Sequence, residues 1–352
     1  MNLELELPTP HLLLEKFPLL ERDREFLSSS RNIAKQIVAE KTSKLALIVG
    51  PCSIHNIESA LSYAEKLKKL SNYVDETLFL VMRVYVEKPR TTIGWKGFLY
   101  DPFLNGTDDL AKGLILVRQL FLELAKLEMP TSTEFVNPLS APFYQDLVTW
   151  GFIGARTTTS QIHRELASSL PFPVGFKNTL EGNLSLPINS IISAKTSHTF
   201  LGINEKGSLT ALSSSGNSFC HLVLRGSDFE TNYDKESINY AKKLQKASGI
   251  YHPIMVDCAH GNSSKNHLLQ KEVFKKVVDQ FCKHSTPLLG IMMESFLDAG
   301  NQSFELGSSL SPTLSITDPC LSWTETEELI LSCHEALSKK VSAHEACSNL
   351  TK

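Results

Sequence analysis

The sequence carries no excess of either charge: 35 Lys and Arg against 38 Asp and Glu leave a formal net of −3 over 352 residues. A protein that grips nucleic acid by neutralising phosphates is usually strongly basic, so no nucleic-acid partner is expected, although a total cannot see a local basic cluster. No run approaches the roughly 18 apolar residues that suggest a membrane span, and no membrane partner is expected. The opening MNLELELPTP has neither a basic n-region nor an apolar core and is not read as a secretory signal. Cysteine is sparse, odd in number and scattered, at Cys52, Cys220, Cys258, Cys282, Cys320, Cys333 and Cys347. That pattern suits a reducing compartment rather than a disulfide framework, and a cytoplasmic location is expected. The phosphate-cradling G-x-x-x-x-G-K-[ST], the dinucleotide G-x-G-x-x-G and the G-x-S-x-G elbow are all missing, so nucleotide hydrolysis and serine-hydrolase chemistry lose their best support. With 42% hydrophobic and 21% charged residues, the composition excludes disorder as a global description.

What is present is a recurrence of short, β-branched, almost wholly apolar runs. They are LALIVG (45–50), TLFLVMRV (77–84), PTSTEF (130–135), FIGAR (152–156), PVGFK (173–177), CHLVLR (220–225), PIMVDC (253–258) and PLLGIMM (287–293). Continuous rather than alternating hydrophobicity marks strands covered on both faces, as in parallel sheets. Helix-like stretches lie between them at Ile57–Leu70, Asp108–Leu127, Ser160–Leu170, Tyr233–Ala247, Lys265–Cys282 and Leu321–Val341. Eight strands, each followed by a helix, predict a (β/α)8 TIM barrel; a doubly wound open sheet would show the same alternation. Residues 1–43 precede the repeat as an N-terminal extension, with a polar helix near Arg22–Ala39, and are expected to serve assembly or regulation. Residues 198–212, HTFLGINEKGSLTAL, read as an inserted β-hairpin turning at Glu205-Lys206-Gly207. Residues 44–352 are then one catalytic barrel, where length alone would also allow two domains.

A barrel gathers the C-terminal ends of its strands on one face, where such enzymes place their chemistry. Here those ends carry GPCSIH (50–55), RVYVEKPRTT (83–92), Glu134, Arg156, Lys177, Arg225, DCAH (257–260) and Glu294-Ser295. Five of the residues, Arg83, Lys88, Arg156, Lys177 and Arg225, form a ring of cations. Charges are rarely buried unpaired, so such a ring calls for anions. Arginine forks suit phosphate and carboxylate oxygens, which points to a small, multiply anionic, phosphorylated substrate. For any one of them alone, an ordinary salt bridge is the simpler reading. Cys52, His260 and Glu294, with Asp318 from SITDPC, make a thiolate, imidazole and carboxylate set able to hold a divalent transition metal. Spacing by itself favours a core cysteine, and only the shared strand-end position raises the metal. His163-Arg164-Glu165 falls on a helix and reads as packing.

At these residues the sequence resembles one family. GPCSIH (50–55), MRVYVEKPRTTIGWKG (82–97), GARTTTSQIHRELAS (154–168), PVGFKN (173–178), HLVLRG (221–226), DCAHGNSSK (257–265), ESFLDAGNQS (294–303) and SITDPCLSW (315–323) are similar, in order, to the class I 3-deoxy-D-arabino-heptulosonate 7-phosphate (DAHP) synthases of the short, aromatic-amino-acid-regulated type. The resemblance runs from PHLLLEKFP (10–18) past Trp323. It implies condensation of phosphoenolpyruvate with erythrose 4-phosphate and water, giving DAHP and phosphate at the entry to the shikimate pathway. Carried over position by position, it implies a divalent transition metal (Mn²⁺, Fe²⁺ or Co²⁺) on Cys52, His260, Glu294 and Asp318. Phosphoenolpyruvate would lie on Arg83, Lys88, Arg156, Lys177 and Arg225, and the phosphate of erythrose 4-phosphate on Arg90 and Thr91. Lys88, His260 and Glu134 would take catalytic roles, Lys88 toward the aldehyde oxygen and His260 or Glu134 toward the proton of water. A homodimer or homotetramer, built through the N-terminal extension and the hairpin, is also implied.

Several positions depart from the family pattern. After GFKN this chain has Thr179-Leu180-Glu181-Gly182 where Gly-Thr-Asp-Gly is usual, and Ser169-Leu170-Pro171 stands where Gly-Leu-Ser is usual. The missing serine belongs to the effector pocket of regulated relatives, and Pro171 offers neither hydroxyl nor N–H. Asn137-Pro138 and FLGINEKGSLTAL (200–212) lean toward the tyrosine-regulated forms. Cys320, two residues beyond Asp318, is a candidate to pair with Cys52 on oxidation. The competing readings are condensation with a longer sugar phosphate such as arabinose 5-phosphate, and a catalytically silent effector-binding protein on the same fold.

Overall fold

Each apolar run becomes a strand because helices cover one of its faces and the barrel interior the other. The computed structural model describes residues 5–284 and 286–350, the last ten of these without their side chains. The ends of the expected segments 1–43 and 44–352, and the side chain of Cys347, lie outside the described residues. Eight parallel strands close into a barrel: β1 (Leu45–Gly50), β2 (Leu78–Arg83), β3 (Thr131–Glu134), β4 (Trp150–Ile153), β5 (Val174–Lys177), β8 (Cys220–Leu224), β9 (Ile254–Asp257) and β10 (Leu288–Glu294). Closure comes from β1, which pairs with both β2 and β10, Ala46 facing Phe79 on one side and Gly290 on the other. This excludes the open doubly wound sheet. Strands β6 (His198–Ile203) and β7 (Leu209–Ser214) form a separate antiparallel hairpin between β5 and β8, as expected.

Helices α3 (Ile57–Val74), α4 (Leu110–Lys126), α5 (Gln161–Ser169), α7 (Lys235–Ala247), α8 (His267–His284) and α9 (Trp323–Leu350) occupy the expected stretches. Their starts are written in the sequence: the Asn56, Asp109 and Asp234 side chains accept from the N–H three residues on. Helix α6 (Ser185–Ala194) was not among the sequence expectations, because Pro187 and a β-branched, serine-rich run disguise it; Pro187 sits in the first turn, where it costs no hydrogen bond. A helix after every strand proves incorrect at one place. Between β3 and β4 the chain makes two 3₁₀ turns, Ala141–Phe143 and Gln145–Leu147, since Pro138 and Pro142 interrupt any longer helix.

Before the barrel come α1 (Pro10–Lys16) and α2 (Glu21–Val38). The last turns of α2 press Ala34, Ile37 and Val38 onto the interior residues Ala46, Ile48, Phe79 and Met255, closing the N-terminal end of the barrel. Arg31 of α2 fastens this plug by donating to the carbonyls of Val148 (2.9 Å), Gln145 (2.9 Å) and Asp146 (2.8 Å). Higher in the interior, His221 accepts from Trp150 Nε1 at 2.9 Å, and burial pushes the imidazole down to about 3, so it stays neutral.

Candidate active site

At the C-terminal end of the barrel, β2, β3, β5, β9 and β10 stop on charged residues, and β1, β4 and β8 run on within three residues to Cys52, Arg156 and Arg225. The chain leaves β1 through Gly50, whose φ of +154° favours glycine; a Cβ there would lie 2.9 Å from the Arg83 carbonyl oxygen. Two residues on, the Cys52 thiol is fully buried. Glu294 ends β10, and Asp318 comes from the loop before α9, where the Ser315 hydroxyl holds the Asp318 carbonyl at 2.9 Å. The ligand atoms of Cys52, Glu294 and Asp318 all lie within 4.8 Å of one another. His260 stands beside this triad rather than in it: Nε2 is 3.7 Å from Glu294 Oε1, while Nδ1 lies 3.0 Å from Asp257 Oδ2. Its backbone φ of +57° is a strained value that favours glycine and that only a constrained loop sustains.

These groups hold one another in place. Lys88 Nζ donates to Cys52 Sγ at 3.1 Å and to the Cys52 carbonyl at 3.2 Å. Burial, helped by Glu294, pushes the Cys52 thiol up to about 11, with Lys88 pulling the other way. A metal binding there therefore displaces a proton, as thiolate ligation requires. Burial opposes charge on Asp318 as well, yet Lys88 and His260 keep its carboxyl below the usual range and ionised. Arg83 lies fully buried beneath the mouth, its Nη2 3.0 Å from Glu294 Oε1 and its guanidinium 4.0 Å from the Tyr85 ring centre. Cys52 N–H donates to Cys320 Sγ at 3.4 Å, so the two cysteines are neighbours, and burial raises both thiols, which opposes spontaneous oxidation.

The anion half of the site lies alongside. Lys177 Nζ donates to Asp257 Oδ2 at 2.8 Å, both side chains buried. Arg225 is 3% exposed, yet among the described residues its guanidinium meets only the Gly226 carbonyl at 3.4 Å and Asp228 at 4.0 Å. Burial and the like charge of Arg156 lower its pKa, while Asp257 and Asp228 raise it. Two guanidiniums that repel one another, one of them poorly compensated, define a place for a multiply charged anion. Arg156 Nε donates to Thr91 Oγ1 at 2.8 Å, joining the two expected substrate sets. Arg90 is exposed, its Nε bonded to the Trp95 carbonyl at 2.7 Å. Glu134 is buried at the end of β3, and Gly154 makes room for it, since a Cβ at that glycine would collide with the Glu134 carboxylate.

Three supporting residues escaped the sequence reading. Asp257 holds both Lys177 and His260, and the one signal for it was a carboxylate closing the apolar run PIMVD. Gln270 of α8, also fully buried, clamps the Glu294 backbone from both sides, accepting from its N–H at 2.9 Å and donating to its carbonyl at 3.3 Å. Glu87 is buried, among the described residues has no cationic partner, and bonds to the segment after β3. Nothing in the sequence marks Gln270 as different from any polar helix residue. The departure at Thr179–Gly182 is absorbed locally: Thr179 Oγ1 accepts from Asn183 N–H at 3.1 Å, and Gly182 turns with φ +88°. Beside the barrel, a cleft of about 350 Å³ between α5, the 3₁₀ turns and the hairpin is lined by Ile162, Leu166, Pro142, Phe200 and Leu212. Pro171 lines a different, serine-rich cleft of about 370 Å³ with Ser169, Ser213 and Ser214. Among the described residues no helix is long and apolar enough to cross a membrane.

Comparison with known proteins agrees with this geometry. The profile of the DAHP synthetase I family matches residues 25–331. The chain is 41% identical over 341 residues to the Tyr-sensitive phospho-2-dehydro-3-deoxyheptonate aldolase of Salmonella typhimurium, covering 97% of this chain and 96% of that one. It is 39% identical over 333 residues to the Trp-sensitive enzyme of Enterobacter agglomerans, covering 95% of each. The solved structure of a phospho-2-dehydro-3-deoxyheptonate aldolase from Francisella tularensis SCHU S4 superposes with a TM-score of 0.94 at 37% identity, covering 97% of this chain and 99% of that one.

Proposed function

The chain belongs to the DAHP synthetase I family, and from that premise we propose how its barrel mouth carries out the reaction. The enzyme condenses phosphoenolpyruvate with erythrose 4-phosphate and water, releasing DAHP and phosphate, the first step of aromatic biosynthesis. The observation that carries the site assignment is the buried, poorly compensated Arg225 with Arg156 as its like-charged neighbour, together with the Cys52, Glu294 and Asp318 cluster. The donor set fits a divalent transition metal such as Mn²⁺, Fe²⁺ or Co²⁺: one sulfur and two carboxylates converge, with an imidazole as neighbour. When bound, such a metal supplies Lewis-acid polarisation of the aldehyde carbonyl.

The chain's own residues do the rest. Arg156 and Arg225 hold the phosphate of phosphoenolpyruvate, with Lys177 and Lys88 toward its carboxylate side. Arg83 reaches the same anion and at the same time fixes Glu294. Arg90 and Thr91 take the phosphate of the four-carbon sugar, so the methylene carbon and the aldehyde carbon are held together rather than left to collide. As the C–C bond forms, positive charge grows at C2 of phosphoenolpyruvate, and water adds there. Lys88 stands over Cys52, placed to donate to the aldehyde oxygen as it becomes a hydroxyl. Glu134, or His260 oriented by Asp257, accepts the proton of the water, and the phosphohemiketal expels phosphate by C–O cleavage.

Regulation and assembly follow the same reading. The cleft lined by Phe200, Leu212 and Leu166 suits the side chain of an aromatic amino acid, with tyrosine the favoured effector. Leu201 and Leu209 are exposed on the hairpin, which suits self-association as a homodimer or homotetramer. One assay tests the whole: phosphate release from both substrates, repeated with arabinose 5-phosphate and with each aromatic amino acid. Release that needs both phosphoenolpyruvate and erythrose 4-phosphate, and that tyrosine suppresses, is expected. Equal turnover of the five-carbon sugar would overturn the acceptor, and indifference to all three amino acids would overturn the regulation.

A further inference from the structure

Glu87 is the most deeply buried carboxylate that the reaction does not use. It directly precedes Lys88 at the root of the loop that carries Arg90 and Thr91, and it is fully buried. Its neighbours are donors, not cations. Oε2 accepts from the Ser140 hydroxyl (3.0 Å), the Tyr144 hydroxyl (3.2 Å) and the N–H groups of Val136 (3.4 Å) and Asn137 (3.5 Å), and Oε1 accepts from the Tyr100 hydroxyl (3.4 Å). Tyr100 is in turn held by Asn137 Nδ2 at 3.2 Å. Four of the five donors thus come from residues 136–144, and the fifth from the far end of the loop that Glu87 begins.

We propose that Glu87 is a positioning residue for the condensation: its carboxylate ties the root of the Lys88–Thr91 loop to the segment after β3 and so sets Arg90 and Thr91 for the sugar phosphate. The inference rests on the reaction assigned above. It adds a residue that touches neither substrate nor metal but fixes those that do.

The chemistry of the cradle gives the tether a pH dependence. A carboxylate can accept from all of these groups, whereas a carboxylic acid turns one oxygen into a donor; at Oε1 that donor would have to compete with Asn137 Nδ2 for the Tyr100 hydroxyl oxygen. Burial pushes the Glu87 carboxyl up to about 7, with Ser140, Asn137, Val136 and Tyr144 pulling it down. The other titratable or charged groups around it are Tyr100, Tyr144, Lys96, His163 and Lys88. Burial raises the Tyr100 and Tyr144 phenols, which stay protonated. Lys96 sits 5.3 Å above the Tyr100 ring, His163 bonds through Nε2 to the Val136 carbonyl at 2.9 Å with its pKa lowered by burial, and Lys88 points away to Cys52. Because the folded pKa is raised, the stability linked to Glu87 is fully present below the ordinary carboxyl pKa and is lost as pH rises through about 7. The ionised form that orders the loop is therefore the form that burial disfavours.

Glu87→Gln fixes the neutral state with the same shape: its carbonyl accepts the Oε2 bonds more weakly than a carboxylate, and its amide turns a donor toward a Tyr100 hydroxyl that Asn137 Nδ2 already fills. Steady-state kinetics of the metal-loaded enzyme from pH 6 to 8.5 read the effect. In the wild type, KM for erythrose 4-phosphate is expected to rise roughly tenfold on acidification from pH 8 to 6, the equivalent of one or two ordinary hydrogen bonds. In Glu87→Gln that KM should be high and flat across the range, KM for phosphoenolpyruvate should stay unchanged, and the melting temperature at pH 8 should be no lower than wild type. Ser140→Ala should give a smaller rise of the same kind. A Glu87→Gln enzyme with the wild-type KM and pH profile would overturn the proposal. So would one whose kcat and melting temperature fall together at constant KM, the mark of a merely structural role. A wild-type enzyme that makes no DAHP would instead overturn the reaction itself, and this proposal with it.

Discussion

The two ends of this barrel are built from the same strands and behave as opposites. At the N-terminal end, Ala34, Ile37 and Val38 of α2 close the floor against Ala46, Ile48 and Phe79. Beside it, Arg31 has its donors taken up by three backbone carbonyls, and its pKa falls only to about 10 under burial. At the C-terminal end, Arg225 is as deeply placed, yet the protein supplies it with one long hydrogen bond and a carboxylate 4.0 Å away. The floor satisfies its charge within the fold; the mouth leaves a charge for a ligand to satisfy. A cation that folding completes contributes to stability, and one that folding leaves incomplete contributes to binding.

That contrast can be broken from either end. The largest effect belongs to the Cys52, Glu294 and Asp318 group proposed to hold a metal at the mouth. Chelation by EDTA should bring activity to background and leave the circular dichroism spectrum intact, with Mn²⁺, Fe²⁺ or Co²⁺ restoring turnover; full activity after exhaustive chelation would sink the ligand assignment. Next comes the anion half. Lys177→Ala removes a buried cation and leaves Asp257 holding His260 alone, so kcat/KM for phosphoenolpyruvate should fall by roughly 10²–10³, the range for losing one charge-stabilising donor. A variant that turns over normally would show that Lys177 is no more than a partner for Asp257. The smallest effect on catalysis should come from the floor. Ile37→Ala should lower stability by about 2–4 kcal/mol through a lost methyl cluster and a cavity, seen as a reduced denaturant midpoint, with KM unchanged. A change in KM without a change in stability would mean that the floor and the mouth are not separable.

Much of the mouth was legible in the sequence, and for a physical reason. A short apolar run bounded by turn signals and recurring between helix-like stretches suits a strand covered on both sides, so a charged residue closing such a run falls at an end of the strand. Glu134, Lys177 and Glu294 follow that logic, and the structure places all three at strand ends, with Cys52 two residues beyond the end of β1. Asp257 obeyed the same rule and went unremarked because His260 and the cysteine beside it drew the chemistry. Gln270 and Glu87 obey no local rule. Gln270 matters because α8 passes behind β10, and Glu87 because the β3 connection folds over β2. The helix α6 and the 3₁₀ turns were obscured by proline, whose effect depends on where in the turn it falls.

By itself the sequence determined the inventory: eight apolar runs, the reactive groups that end them, and the order in which the chain brings them round. Only the tertiary structure decided the pairing. It gave Arg83 to Glu294 and Lys177 to Asp257, set His260 Nε2 3.7 Å from Glu294 beside Cys52 and Asp318, and left the buried Arg225 with little anionic compensation. Electrostatic pairing is settled over a few ångströms in a medium that screens poorly, and those distances are fixed by barrel closure, not by any spacing along the chain.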